Sequence, residues 1–111
     1  MELAFATRNL RTMCEDLNVA EDVLGTPVAD QLKARLADMR AADNVEEFVG
    51  LGIPSVVPRE SGTVTVELSQ GYRIVMRSNH QPGRRSHERA EDWRLVRRVQ
   101  VLSIDRTQDD R

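Results

Sequence analysis

Gly62-Thr-Val-Thr-Val-Glu-Leu-Ser-Gln-Gly-Tyr-Arg-Ile-Val-Met76 is the stretch that decides the fold. β-Branched and polar residues alternate up to Gln70-Gly71, and alternation resumes with Tyr72, Ile74 and Met76 on one face. Period-two patterning on either side of a glycine break predicts a β-hairpin with strands near Thr63–Leu68 and Tyr72–Ser78. Arg73 falls on the face opposite Tyr72, Ile74 and Met76, so a rigid strand presents a guanidinium just past the turn.

Toward the N-terminus, Leu3 and Phe5 share a face in a short expected strand over residues 2–7. The period then changes. Leu10, Met13, Leu17, Ala20 and Leu24 recur every three or four residues from Asn9, and Gly25 supplies a stop. Thr26-Pro27 reads as an N-cap followed by proline at the first helical position, with Asp30 near the positive end of the dipole. Val28, Leu32, Leu36 and Met39 form the buried stripe of this second helix, and the short connection makes the two helices antiparallel. Asn44, with Glu47 three residues on, opens one further turn through Phe48 and Val49. Gly50, Gly52, Pro54 and Pro58 then predict irregular chain up to Gly62.

Toward the C-terminus, residues 79–92 are polar, with a Pro82-Gly83 turn and no apolar period, as in a mobile loop or arm. Trp93 to Arg106 reads as a last strand, with Trp93 in the core and a slip of alternation between Val96 and Val101 that predicts a bulge. Residues 107–111 read as a frayed tail. The expected fold is α+β and one domain over residues 1–111. It has an N-terminal strand, two antiparallel helices and a three-stranded antiparallel meander in one sheet, with the second sheet face partly open.

Composition narrows the function. With 4% aromatic residues the chain lacks the several exposed rings of a single-strand stacking platform. Cys14 is the only cysteine, so an internal disulfide is impossible and a zinc ligand set is not expected. No apolar run approaches a membrane span and no signal segment is evident, so a cytoplasmic protein without metal or cofactor is expected. The net charge of −2 conceals an asymmetry: residues 73–98 hold eight arginines and three acids, and Lys33 is the only lysine. Arginine presents a planar fork suited to phosphate and carboxylate, while arginine richness also follows from genomic base composition.

The candidate anion contacts are Arg73 and Arg77 on the hairpin, Arg59 before it, and Arg97 and Arg98 on the last strand. Arg73 and a last-strand arginine are expected to converge on one phosphate. The opposing reading makes them solubilising residues of a sheet face, paired with Glu67 and Asp105. The segment 80–87 groups His80 and His87 with Arg84 and Arg85, a candidate proton-moving cluster or a solvated cationic loop. No nucleophilic triad, phosphate-cradling glycine loop or paired-carboxylate site is recognisable.

Taken with the opening Glu2-Leu-Ala-Phe5 and the helical pair, the segment Thr65–Met76 resembles the RelE/ParE toxin superfamily of bacterial type II toxin–antitoxin modules, and most closely its HigB-like "killer protein" branch. Residues 99–105 are similar to the last strand of that family. The resemblance covers nearly the whole chain. It implies a RelE-like fold and ribosome-dependent, metal-independent mRNA cleavage in which the RNA's own 2′-hydroxyl is the nucleophile. Carried over residue by residue, Arg73 would be the phosphate clamp and Asp105 a supporting or proton-handling group. Arg59, Arg77, His80, Arg84, Arg85, Arg97 and Arg98 would then contact RNA. The chain departs from the family where Arg106 and Thr107 replace a terminal Tyr-His, and Ser69 replaces a usual basic residue.

The implied partners are mRNA on the ribosome and a cognate antitoxin, of helix-turn-helix type and encoded alongside, and no membrane. Two other readings stay open: a non-nucleolytic binding toxin of the gyrase-inhibiting kind, and a basic protein-interaction module.

Overall fold

A computed structural model describes residues 1–52, 56–58, 63–78 and 93–106 of the chain. The hairpin forms as its alternation requires, from β3 (Thr63–Glu67) and β4 (Tyr72–Ser78). Gln70 has φ 60° and Gly71 φ 80°, the paired left-handed conformation of a tight hairpin turn whose twist suits the flanking strands. Glycine adopts this without steric cost, whereas Gln70 accepts strain there. Three hydrogen bonds hold the turn: Tyr72 N–H donates to Ser69 O across it, Leu68 N–H donates to Tyr72 O at 2.7 Å, and Ser69 N–H donates to Gln31 Oε1 on a helix.

Around the hairpin the described residues form a sheet of five strands in the order β1-β5-β4-β3-β2. β1 (Glu2–Phe5) runs parallel to β5 (Arg98–Arg106), and every other pairing is antiparallel. The meander β3-β4-β5 is as the sequence predicts. The extra strand is β2 (Val56–Pro58), which corrects the expectation of irregular chain there. As the edge strand it tolerates Pro58, because proline's missing donor is harmless on the unpaired side.

Among the described residues four helices accompany this sheet: α1 (Arg8–Glu15), α2 (Leu17–Leu24), α3 (Thr26–Ala41) and α4 (Val45–Val49). The helix expected to run unbroken to Leu24 is two, because Asp16 takes an extended conformation between them. Its N–H closes α1 on Thr12 O, and its carboxylate accepts the Asn18 N–H at 3.0 Å to start α2. An aspartate that can cap a helix offers the backbone an alternative to continuing it. The break leaves Leu17 exposed, although the heptad-like spacing placed it inside. Thr26 is the first residue of α3, and Gly25 precedes it as the cap with no side-chain hydrogen bond. Asp30 lies beyond the first turn. Asn44 does cap α4, accepting the Glu47 N–H at 2.8 Å, while Glu47 Oε1 accepts the Asp43 N–H.

The core lies between the helices and one sheet face. Val28, Leu32, Leu36 and Met39 of α3 are buried as their spacing requires, with Val45 and Phe48 of α4. Val64, Val66, Ile74, Met76, Val99, Val101 and Ile104 are buried from the strands. Val45 N–H donates to Val96 O at 2.9 Å, tying α4 to the chain entering β5. Trp93 opens a 3-10 turn (Trp93–Leu95) in place of the predicted strand, and is half-buried against the core.

A candidate anion site on the open face of the sheet

Residues that alternate with the buried set point away from the helices. On β4 these are Arg73, Val75 and Arg77, and on β3 Thr63, Thr65 and Glu67, of which Thr65 is itself buried. β4 is the central strand, paired on both sides, so Arg73 stands on the most constrained backbone of the sheet. Glu67 is directly opposite Arg73 on one side and Asp105 directly opposite on the other. A row Glu67–Arg73–Asp105 therefore crosses three adjacent strands.

Asp105 joins that row because β5 carries a bulge. Met76 pairs with Val101 but Val75 pairs with Ser103, so Leu102 is the extra residue. The insertion reverses the parity of β5: Val99 and Val101 are buried before it, and Ile104 is buried after it. Without the bulge, Asp105 would share the inward parity of Val99 and Val101. The sequence predicts a slip on this strand, but a little upstream of where it occurs.

The row holds two carboxylates and one guanidinium, so an anion at its centre would depend on Arg73 alone. Arg73 is half-buried, and its Nε is shut off from solvent with no hydrogen-bond partner. Among the described residues no ion pair within 4.0 Å joins Arg73 to Glu67 or Asp105, both of which are exposed. The solubilising-pair reading of Arg73 thus lacks its pairs. A partly dehydrated guanidinium that makes no close ion pair is open to an anion able to reach it.

The other predicted contacts are dispersed. Arg77 shares the face four residues along β4, and its Nε donates to Gln100 Oε1 at 3.3 Å. Arg98 makes an ion pair with Glu2 at 3.0 Å across the parallel β1–β5 pair, and Arg97 is exposed ahead of β5. Arg98 precedes Asp105 by seven residues on β5, roughly 20 Å along a strand, so Arg73 and Arg98 do not meet on one phosphate. Counting the outward positions of the paired strands, Glu2, Glu67 and Asp105 balance Arg73, Arg77 and Arg98, so this part of the face is not a continuous cationic patch. Arg59, His80, Arg84, Arg85 and His87 lie outside the described residues, as does the expected arm over 79–92.

On the inward side of the same strand ends, the Arg106 guanidinium lies 5.0 Å from the centre of the Tyr72 ring. That cation–π contact gives Arg106 a packing role. Sequence reading missed it, since nothing in the spacing of Tyr72 and Arg106 announces their pairing.

A cleft of about 430 Å³ opens elsewhere, between α1, α2 and α3, with Met13, Cys14, Leu32 and Leu36 in its lining and Lys33 and Arg40 among its charged groups. Burial pushes the Cys14 thiol from its ordinary 9.0 up to about 11, opposed by Arg40 and reinforced by Glu15. A raised acid keeps its proton longer when folded, so this contribution to stability is complete below pH 9.0 and lost as pH rises to about 11. Cys14→Ala is expected to flatten the fall in stability over that window, measured by denaturant titration at each pH. Native Cys14 should also alkylate more slowly at pH 8 than Cys14 in unfolded chain.

Among the described residues no three His, Cys, Asp or Glu side chains are grouped to hold a metal ion, and no helix is long and apolar enough to cross a membrane. Neither a protein-family profile, nor a curated protein, nor a solved structure matches this chain. The site must be read from its own chemistry.

Proposed function

We propose that the protein is the toxin of a bacterial type II toxin–antitoxin module, with a RelE-like domain of the HigB-like branch, and inhibits translation by cleaving mRNA on the ribosome. One observation carries the reading. Arg73, the residue that the resemblance makes the phosphate clamp, stands on the central strand without an ion-pair partner among the described residues. Asp105 beside it supports the reading as well, since the bulge at Leu102 delivers that residue, and not its neighbours, to Arg73.

In this reading the guanidinium of Arg73 holds the scissile phosphate and stabilises the charge that develops on the phosphorane. The 2′-hydroxyl of the RNA attacks and the 5′-oxygen leaves, so neither a metal nor a cofactor is required. Docking on the ribosome supplies the remaining affinity, since one guanidinium and a charge-balanced face bind RNA weakly by themselves. The cognate antitoxin would bring an acidic segment to the arginines of residues 73–98 and order over the site. The protein would act in the cytoplasm.

A second reading is favoured by that same charge balance: a toxin that binds its target without cutting RNA. Purified protein added to translating ribosomes is expected to yield truncated transcripts, and protein synthesis in expressing cells to stop before DNA synthesis. Intact transcripts, with DNA synthesis stopping first, would establish the second reading instead.

A further inference from the structure

Glu67 is the member of the cross-strand row to which the resemblance assigns no role. We propose that Glu67 is the general base of the RNA cleavage, taking the proton of the attacking 2′-hydroxyl while Arg73 holds the phosphate. The inference rests on the nuclease reading above.

Three observations carry it. First, Glu67 and Asp105 are register partners of Arg73 on opposite sides, so their backbones lie about 10 Å apart, two strand spacings. An in-line displacement has its attacking and leaving oxygens on opposite sides of phosphorus, and a phosphate seated on Arg73 therefore meets one carboxylate near each.

Second, Glu67 and Arg73 are directly opposed, yet no ion pair within 4.0 Å forms between them. Opposite charges on facing strand positions ordinarily pair. Two that remain apart are both available to a group lying between them.

Third, Glu67 is exposed but its backbone is fixed. β3 is paired on both sides, by β2 and β4, and the hairpin closes just beyond it through Leu68 N–H to Tyr72 O. The neighbouring turn is held to α3 through Gln31. Glutamate adds a methylene to the reach of aspartate, which suits a base working past the guanidinium.

The step balances without a metal. The Glu67 carboxylate accepts the 2′-hydroxyl proton, the O2′–P bond forms and the P–O5′ bond breaks. The departing 5′-oxygen takes a proton from water, and the hydroxide so formed recovers the proton from Glu67. The products are a 2′,3′-cyclic phosphate and a 5′-hydroxyl end.

The test compares wild type, Glu67→Gln and Glu67→Ala on mRNA-programmed translating ribosomes, reading cleavage rate and co-sedimentation with ribosomes. Glu67→Gln is expected to cleave about 100-fold or more slowly while co-sedimenting as wild type does, and formate is expected to restore part of the rate to Glu67→Ala. Glu67→Gln cleaving at the wild-type rate, or losing cleavage only in proportion to ribosome binding, would overturn the assignment and leave the nuclease reading standing. Wild-type protein that leaves the RNA intact would overturn the nuclease reading, and this inference with it.

Discussion

Arg73→Ala is expected to lower the rate of mRNA cleavage on ribosomes by about 100- to 1,000-fold, the usual cost of removing one preorganised donor from a developing anion. The effect should be large because the guanidinium is held on the central strand with its Nε already shut off from water. Preorganised donors in dry surroundings act more strongly than solvated ones. Stability should change little, since no ion pair of Arg73 within the described residues is lost.

Arg73→Met separates charge from packing, because methionine keeps an apolar stem against the sheet. It should be as inactive as Arg73→Ala and melt close to wild type. Arg73→Lys keeps the charge but not the planar fork and should recover only part of the rate. Full activity in Arg73→Met would remove Arg73 from the site altogether.

Phe48→Ala is expected to cost about 3–5 kcal/mol of unfolding free energy, a large part of the roughly 5–15 kcal/mol that holds a small domain together. Phe48 is fully buried, on a helix of only five residues. So short a helix has little stability of its own and depends on packing against the core. Deleting the ring should loosen α4, and with it the Val45–Val96 hydrogen bond that leads into β5. Leu95→Ala provides the contrast: Leu95 is 62% exposed, and the change should fall within about 0.5 kcal/mol of wild type. Denaturant unfolding measures both. A loss below about 1 kcal/mol at Phe48 would mean that the core closes over the vacancy, which close packing does not ordinarily allow.

The hairpin was legible because period two is a strong local signal, and the α3 stripe because Val28, Leu32, Leu36 and Met39 all share one face. What the sequence concealed depends on pairing at a distance. β2 is only three residues long among prolines and glycines, and it exists because β3 offers it a partner. Asp16 is as compatible with one long helix as with two, and its capping hydrogen bond decides between them.

The site divides in the same way. Arg73 could be found from local alternation alone. Glu67 and Asp105 are 38 residues apart in the chain, and only the register of three strands makes them flank one guanidinium. For that reason no paired-carboxylate site was recognisable in the sequence. The expected meeting of Arg73 with Arg98 failed on distance along the strand, since a shared face does not bring the two ends of a sheet together. Asp105 reached its place through a bulge whose existence, though not whose position, could be read from the slip in alternation.

The most direct test of the central claim maps RNA ends after the purified protein is added to ribosomes translating a defined message. New ends are expected, formed with chelator present, that carry a 2′,3′-cyclic phosphate upstream and a 5′-hydroxyl downstream and are absent with Arg73→Ala. A message that remains intact while the protein still arrests growing cells would contradict it.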